Sequence, residues 1–452
     1  MAVLTSNMCN AQQPSDQPAF DEEEWKIVAR YAPRVQELTL DRDQLSVEIL
    51  QSLWFRTTLL LPNLRHLHWN YDDCTIIASI RLLLSPSLVH LHVWLDGGNH
   101  SSVLGLLECY HTLSPNLKSL YFGHLCRFPH VTTAVSRAIF RSPNLETLTC
   151  DPINEAVLIH IVRSHYLKAL SANLLNHQPD NLRRLADYAT PDHPPFANLL
   201  ALELRVEDLS SIIPYLKSHQ QPFESVAFHV RILPTPKVLH EFFTALSSTT
   251  RRGTLRRITL LSLGLRIRGL PSQAIDFRVL SLLMTFKLHT FDVNLNNSVS
   301  LNDDELARLV QAWPDLETFH FNQRTGLDHH ETFRIPTLRG LLLLIARCPK
   351  LRSLGVCIDA RNIPSLSEDE SLICNTAITR LFLANSPIQE PVARVAQFLL
   401  EHFPSLIILP AWIPFNGRPD YRHMWREVST LIQEINGHGS SSESSDSETE
   451  FL

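Results

Sequence analysis

One pattern governs what this chain can fold into. The segments Pro62-Asn63-Leu64-Arg65-His66-Leu67-His68-Trp69, Pro86-Ser87-Leu88-Val89-His90-Leu91-His92-Val93 and Pro115-Asn116-Leu117-Lys118-Ser119-Leu120-Tyr121-Phe122 share the template Pro-x-Leu-x-x-Leu-x-apolar. The template returns at Pro143-Asn144-Leu145, Pro314-Asp315-Leu316, Pro349-Lys350-Leu351 and Pro404-Ser405-Leu406. Weaker copies lack the proline or alter the leucines. Counting these, the first apolar position falls at 35, 64, 88, 117, 145, 167, 199, 223, 255, 288, 316, 351, 378 and 406.

Fourteen copies at a mean spacing of about 28.5 residues fall at the long end of the range for leucine-rich repeats. Within each copy the second leucine and the apolar residue two places on alternate with polar residues, which predicts a short strand with one buried face. Helical spacing follows, as in Val103, Leu106 and Leu107, or Leu338, Leu341, Leu342 and Ile345. The proline opening the next copy then stops the helix, because it has no N–H to donate and disfavours helix in its predecessor. One strand–helix unit cannot bury its apolar face alone, but stacked units can. The expected fold is therefore an α/β leucine-rich-repeat solenoid, a horseshoe with a parallel concave sheet and convex helices, spanning 18–436. The asparagine that often follows the strand in such repeats is mostly missing, the intervals are uneven, and a unit could be missed or merged around 255–290.

Terminal repeats need caps. Asp21-Glu22-Glu23-Glu24-Trp25 opens a helix with acids in its first turn, and Trp25, Val28 and Ala29 give it an apolar side. Near the other end, Pro419-Asp420 begins a helix with Trp425, Val428, Leu431, Ile432 and Ile435 on one side; it reads as a packed cap or as a free partner-binding helix. Residues 1–17 and 437–452 are polar and predicted to be disordered. In the second of these, Ser440, Ser445 and Ser447 each precede an acidic residue by three positions, as acid-directed kinases require; an unmodified solubilising tail is the other reading. Ser365–Ser371 reads as a solvated loop.

Composition narrows the function classes. The chain is 44% hydrophobic, enough for a large core. Its formal charge is −6, and four of those charges lie in the tail, at Glu443, Asp446, Glu448 and Glu450. A near-neutral body argues against nucleic acid. The eight cysteines form no Cys-x-x-Cys, which suits reduced thiols in the cytoplasm or nucleus. The N-terminus has no basic n-region, and no apolar run approaches the roughly 18 residues that span a bilayer, so neither a signal peptide nor a membrane partner is expected. There is no Gly-x-Ser-x-Gly, P-loop, Gly-x-Gly-x-x-Gly or His-Glu-x-x-His. Neither an enzyme nor a cofactor is expected.

The alternating positions predict the residues of the concave face. His66, His68 and Asn70 share one strand, and His90, His92 and Trp94 the next; Tyr121, Thr147 and Thr149 follow. Asp292, Asn294, Thr318, His320 and Asn322 extend the face further along the chain. A patch of His, Trp and Tyr has the composition of an interface hot spot, so the 64–121 stretch is the expected main contact with a protein partner. The block His66, His68, His90 and His92 leaves three readings open: solvated histidines, a zinc site, or a pH-sensitive patch.

The repeats resemble those of fungal F-box/leucine-rich-repeat proteins. Three segments carry the likeness: the lead-in Glu24-Trp25-Lys26-Ile27-Val28-Ala29-Arg30-Tyr31-Ala32-Pro33-Arg34-Val35, the repeat Cys348-Pro349-Lys350-Leu351-Arg352-Ser353-Leu354, and Asp359-Ala360-Arg361-Asn362-Ile363-Pro364 after a strand. The resemblance covers about 20–435 and implies a ubiquitin-ligase substrate receptor. In that family an F-box precedes the repeats and docks the adaptor of cullin-type ligases. Its Leu-Pro-x-Glu-like opening has no counterpart here; the nearest segment, Leu45-Ser46-Val47-Glu48-Ile49-Leu50, lies in the first repeat and lacks the proline. The resemblance thus implies the substrate-facing half, with the adaptor as a partner only if an F-box lies upstream. A solenoid subunit of a stable complex unrelated to ubiquitin is the alternative, and a metal-dependent sensor built on the histidines a third.

Overall fold

The computed structural model describes residues 21–41, 59–70, 77–94, 100–123, 129–151, 153–175, 198–218, 220, 222–250, 253–263, 274–295, 297, 299–323, 334–383, 386–407 and 421–436. The chain is mixed α/β and divides into two compact units, one of residues 1–207 and 214–223, the other of 208–213 and 224–452.

Among the described residues the first unit carries seven parallel strands in chain order: β1 (Glu37–Asp41), β2 (His66–Asn70), β3 (His90–Trp94), β4 (Ser119–Gly123), β5 (Thr147–Cys150), β6 (Ala169–Asn173) and β7 (Ala201–Val206). Each begins two residues after the first apolar position of its copy, which in all but the first is a buried leucine that turns inward before the alternation starts; in the first it is the half-buried Val35. The register repeats without a slip. Leu38, Leu67, Leu91, Leu120, Leu148, Leu170 and Leu202 stand in one row across the seven strands, all buried. A one-residue slip would turn every such leucine to solvent, so the template itself enforces the register.

The turn into each strand is built the same way. One carbonyl of the preceding strand accepts two successive N–H groups of the next: Gln36 from Arg65 and His66, Arg65 from Val89 and His90, Val89 from Lys118 and Ser119. The template asparagine adds a second tie. Asn63 and Asn116 donate from their side chains to the carbonyls of Pro33 and Pro86, at 2.8 and 2.9 Å. Helices His100–Leu113 and Pro129–Phe140 bury Val103, Leu106 and Leu107 as the spacing predicts, and the buried Tyr110 hydroxyl donates to Ala138 O at 2.8 Å between them.

In the second unit the strands are β8 (Ser225–Val230), β9 (Arg257–Ser262), β10 (Ile275–Asp276), β11 (Thr290–Asn294), β12 (Val299–Ser300), β13 (Thr318–Phe321), β14 (Ser353–Val356) and β15 (Leu381–Phe382). Six of them form a parallel array in the order β8-β9-β11-β13-β14-β15, while β10 pairs only with β12. Because β9 pairs directly with β11, no strand of the array stands between the copies at 255 and 288. The inward row here is Val226, Ile258, Phe291, Phe319, Leu354 and Leu381, bulkier and partly aromatic. The fourteenth copy begins as expected, with Leu406 buried and Ile407 N–H donating to Thr379 O at 3.0 Å; the residues after 407 lie outside the described ones.

Helix Glu22–Tyr31 opens on a capping box between Asp21 and Glu24; Trp25 and Val28 pack against Leu82, whereas Ala29 is exposed. Helix Arg422–Ile435 buries Trp425, Val428 and Ile432, and Trp425 Nε1 donates to Ser386 O at 2.9 Å; Ile435, expected on that side, is exposed. The 365–371 segment is solvated but not all loop: Ser367 and Glu370 close a capping box over the one-turn helix Glu368–Ser371. The polar ends, with Ser440, Ser445 and Ser447, lie outside the described residues.

Two glycines in helices predict opposite effects. At Gly105, in helix His100–Leu113, an added Cβ meets nothing within 4 Å. Gly105→Ala is expected to raise stability by about 1 kcal/mol through helix propensity alone. At Gly340, in helix Leu338–Arg347, the same methyl would overlap the Asp303 carboxylate and press on Pro336. That carboxylate accepts from Thr337 N and Oγ1, each at 2.7 Å, tying one helix start to the next. Gly340→Ala is expected to cost about 2 kcal/mol by breaking this tie. Thermal melts of the two variants should move in opposite directions; equal shifts would show that the tie contributes nothing.

Candidate functional site

The outward rows of β2–β5 bring the predicted residues together. His66 faces His90, and His68 faces His92, strand to strand. The first pair meets edge to face with ring centroids 4.5 Å apart, the second is stacked at 5.3 Å. His92 lies in turn against Tyr121 at 3.8 Å with the planes only 4° apart, and Trp94 is near-parallel to Tyr121 at 6.2 Å. Four rings from three strands thus form one continuous stack. Gly123 permits it: opposite Trp94 in the ladder, any Cβ there would lie 2.8 Å from the Trp94 ring and 2.7 Å from that of Tyr121.

The remaining predicted residues divide. Thr147 and Thr149 continue the rows beside Ser119 and Tyr121 as short, half-buried neighbours. Asn70 is turned to its neighbouring strand, donating to Asp41 at 2.9 Å. Asn294 and Asn322, read as part of the outward face, are buried instead. Asn322 adopts a positive φ of 51°, accepts from Leu295 N at 3.0 Å and donates to Asn297 O, closing the strand end inside the fold. Among the described residues no group of three or more His, Cys, Asp or Glu is placed to hold a metal ion, the block His66, His68, His90 and His92 included.

Burial, with His68 adding to it, pushes His92 down to about 4. Burial also lowers His90, assisted by His66 and His68. An unfolded histidine titrates near 6.5. Above that pH His92 is neutral in both states; as pH falls toward 4 the unfolded chain takes up the proton first, so stability declines across this window and levels off below it. His92→Gln is expected to flatten that part of the stability–pH curve in urea unfolding. Parallel curves for the two proteins would contradict the burial of this ring.

Two sets of contacts lie beyond the sequence reading, which places Asp292 and His320 on the outward face but does not join them to Ser353. Glu146 accepts from Lys118 at 2.8 Å and Lys168 at 2.6 Å, and these contacts hold its carboxyl down at about 2. All three occupy the same template position, the one just before the strand. In the second unit His320 stands opposite Asp292 on the neighbouring strand and reaches diagonally to Ser353, which stands opposite Thr318. His320 Nε2 lies 2.8 Å from Ser353 Oγ, while Nδ1 is 3.8 Å from Asp292 and 3.2 Å from the Gln323 amide. A serine–histidine pair alone is short of an acyl-transfer site, which also needs donors aimed at a developing oxyanion. The Ser353 N–H is already given to Glu317 O at 3.1 Å.

Compared with known protein families and with characterised proteins, the chain matches none. No helix among the described residues is long and apolar enough to cross a membrane.

Proposed function

We propose that the chain is a leucine-rich-repeat solenoid that binds another protein on the outward rows of β2–β5, resembling the substrate-recognition part of an F-box ubiquitin-ligase receptor. The reading takes the parallel strands as the concave side and the helices as the convex side. One observation carries it: the stack of His68, His92, Tyr121 and Trp94, large side chains held side by side on a face where the leucines do not need them. Rigid aromatic surface of this kind is what interface hot spots are made of. The outward strand positions of this unit mix carboxylates, hydroxyls and imidazoles with a single arginine, Arg205, which suits a protein better than a phosphate backbone. The absence of any catalytic template from the sequence agrees with a binding role, in the cytoplasm or nucleus.

The test is affinity purification with the double variant Trp94→Ala/Tyr121→Ala beside the wild type. Each truncation is expected to cost about 2 kcal/mol of binding, roughly 30-fold in Kd, with the fold retained. Companions that include the cullin adaptor or a short-lived protein would support the receptor reading. Stoichiometric companions unrelated to ubiquitin would instead support a structural subunit. Retention unchanged by the double variant would remove this face from consideration.

A further inference from the structure

The segment between β14 and β15 is built unlike its neighbours. The copies before and after it carry helices Leu338–Arg347 and Val392–His402, whereas residues 357–380 hold only the single turn Glu368–Ser371. That turn buries no residue, and Leu372 beside it is 80% exposed. One exposed turn is marginal by itself, because closing it fixes several dihedrals for one hydrogen bond, so the stretch opens to an extended form at low cost. Ser367 stands at its start and is exposed. Its Oγ donates to Glu370 Oε2 at 3.1 Å and accepts from Glu370 N at 3.3 Å. The other oxygen of that carboxylate, Oε1, accepts from Arg339 in the preceding helix, from Nε at 2.9 Å and from Nη2 at 2.8 Å. A single carboxylate therefore separates the serine hydroxyl from a guanidinium, and more than half of the Arg339 side chain is open to solvent. An arginine fork matches a phosphate as well as a carboxylate. The residues after Ser367 are Glu368, Asp369 and Glu370, so the acid that acid-directed kinases require three positions on is present, with two more before it.

From these features we infer that Ser367 is a phosphorylation site for an acid-directed serine kinase, and that Arg339 receives the phosphate. The inference goes beyond the binding face on β2–β5 and does not depend on it. The carboxylates are what the kinase reads; the site is the hydroxyl. Ser367 Oγ attacks the γ-phosphorus of a nucleoside triphosphate held by the kinase, the bond from that phosphorus to the β–γ bridging oxygen breaks, and nucleoside diphosphate leaves. The hydroxyl proton passes to a base of the kinase. The phosphate brings a charge of about −1.5 to −2 beside Glu370. Repulsion moves the Glu370 carboxylate away and the guanidinium turns to the phosphate, so the tie to helix Leu338–Arg347 passes from Glu370 to Ser367.

The test incubates the full chain with a recombinant acid-directed serine kinase and a nucleoside triphosphate, while an acidic control peptide shows that the enzyme is active. Peptide mass mapping is expected to find phosphate on Ser367, and Ser367→Ala should lose it. Phosphorus NMR then titrates the resonance that Ser367→Ala removes. A phosphoserine ordinarily loses its second proton at about pH 6. The guanidinium favours the dianion, so the midpoint is expected to lie lower in wild type than in Arg339→Gln, by about 1 in pH. No phosphate on Ser367 with an active kinase would overturn the inference. A phosphate that titrates alike in wild type and Arg339→Gln would remove Arg339 as its receiver.

Discussion

Replacing Trp313 by alanine is expected to lower the unfolding free energy by about 3–5 kcal/mol. The residue sits at the head of the copy Trp313-Pro314-Asp315-Leu316 and is fully buried. Its ring stacks on Phe291 with centroids 5.3 Å apart, and Phe291 stacks on Phe319 at 5.2 Å. Phe291 and Phe319 belong to the inward row of β11 and β13, so the tryptophan is the prop under two strands. Its Nε1 donates to Leu283 O at 3.3 Å, and its own carbonyl accepts from Cys348 Sγ at 3.5 Å. Truncation would leave a large void between these rings and take one of two donors from the Leu283 carbonyl, which keeps the Phe286 N–H at 3.1 Å, so the void carries most of the expected loss. Trp313→Phe keeps a ring in the stack but still drops the hydrogen bond, so it should cost distinctly less. Urea midpoints at an unchanged slope give the comparison. A loss below about 1 kcal/mol for the alanine variant would mean that the second unit does not depend on its aromatic row.

The strands were legible because the template fixes both period and phase. Twelve of the thirteen array strands start two residues after the first apolar position, and β15 starts three after Ile378. What escaped were features that depend on comparison between copies. Lys118, Glu146 and Lys168 look like scattered charges until the same template position is read down successive repeats, where the register makes them neighbours. The asparagine is missing from most copies, as the sequence indicates, but Asn70, Asn173 and Asn294 end their strands, Asn322 follows β13, and the last three are buried there. The alternation rule placed Asn294 and Asn322 outward because it assumes the strand continues; a strand that ends in a turn redirects the side chain toward unpaired backbone N–H groups, as Asn173 does to Leu175 and Asn322 to Leu295. β10 and β12 are two residues each, too short for any alternation to be seen. The Ser367-x-x-Glu370 box, by contrast, was readable as a helix start and was passed over in a charged segment. The ring stack was the easiest part of the site, since His66, His68, His90 and His92 occupy equal positions in adjacent copies; the contact of Tyr121 with His92 needed only the register.

Leu120 and Tyr121 are consecutive residues whose removal should fail in different assays. Leu120→Ala is expected to cost about 2–5 kcal/mol of stability. The leucine is fully buried and stands between Leu91 and Leu148 in the row of seven, so the cavity would open against two neighbouring strands that cannot both close on it. Tyr121→Ala removes more atoms yet should cost only about 1 kcal/mol, the worth of a ring contact such as that with His92, because the residue is half-buried on the outward row and not enclosed in the core. Partner capture should reverse the order: any Leu120→Ala protein that remains folded should still present the ring stack, whereas Tyr121→Ala should bind roughly 30-fold more weakly. The alternation of the strand makes this division unavoidable, since successive side chains leave opposite faces of the sheet. Equal destabilisation by the two variants would mean that Tyr121 is a core residue, and the outward rows would then lose their standing as a surface for binding.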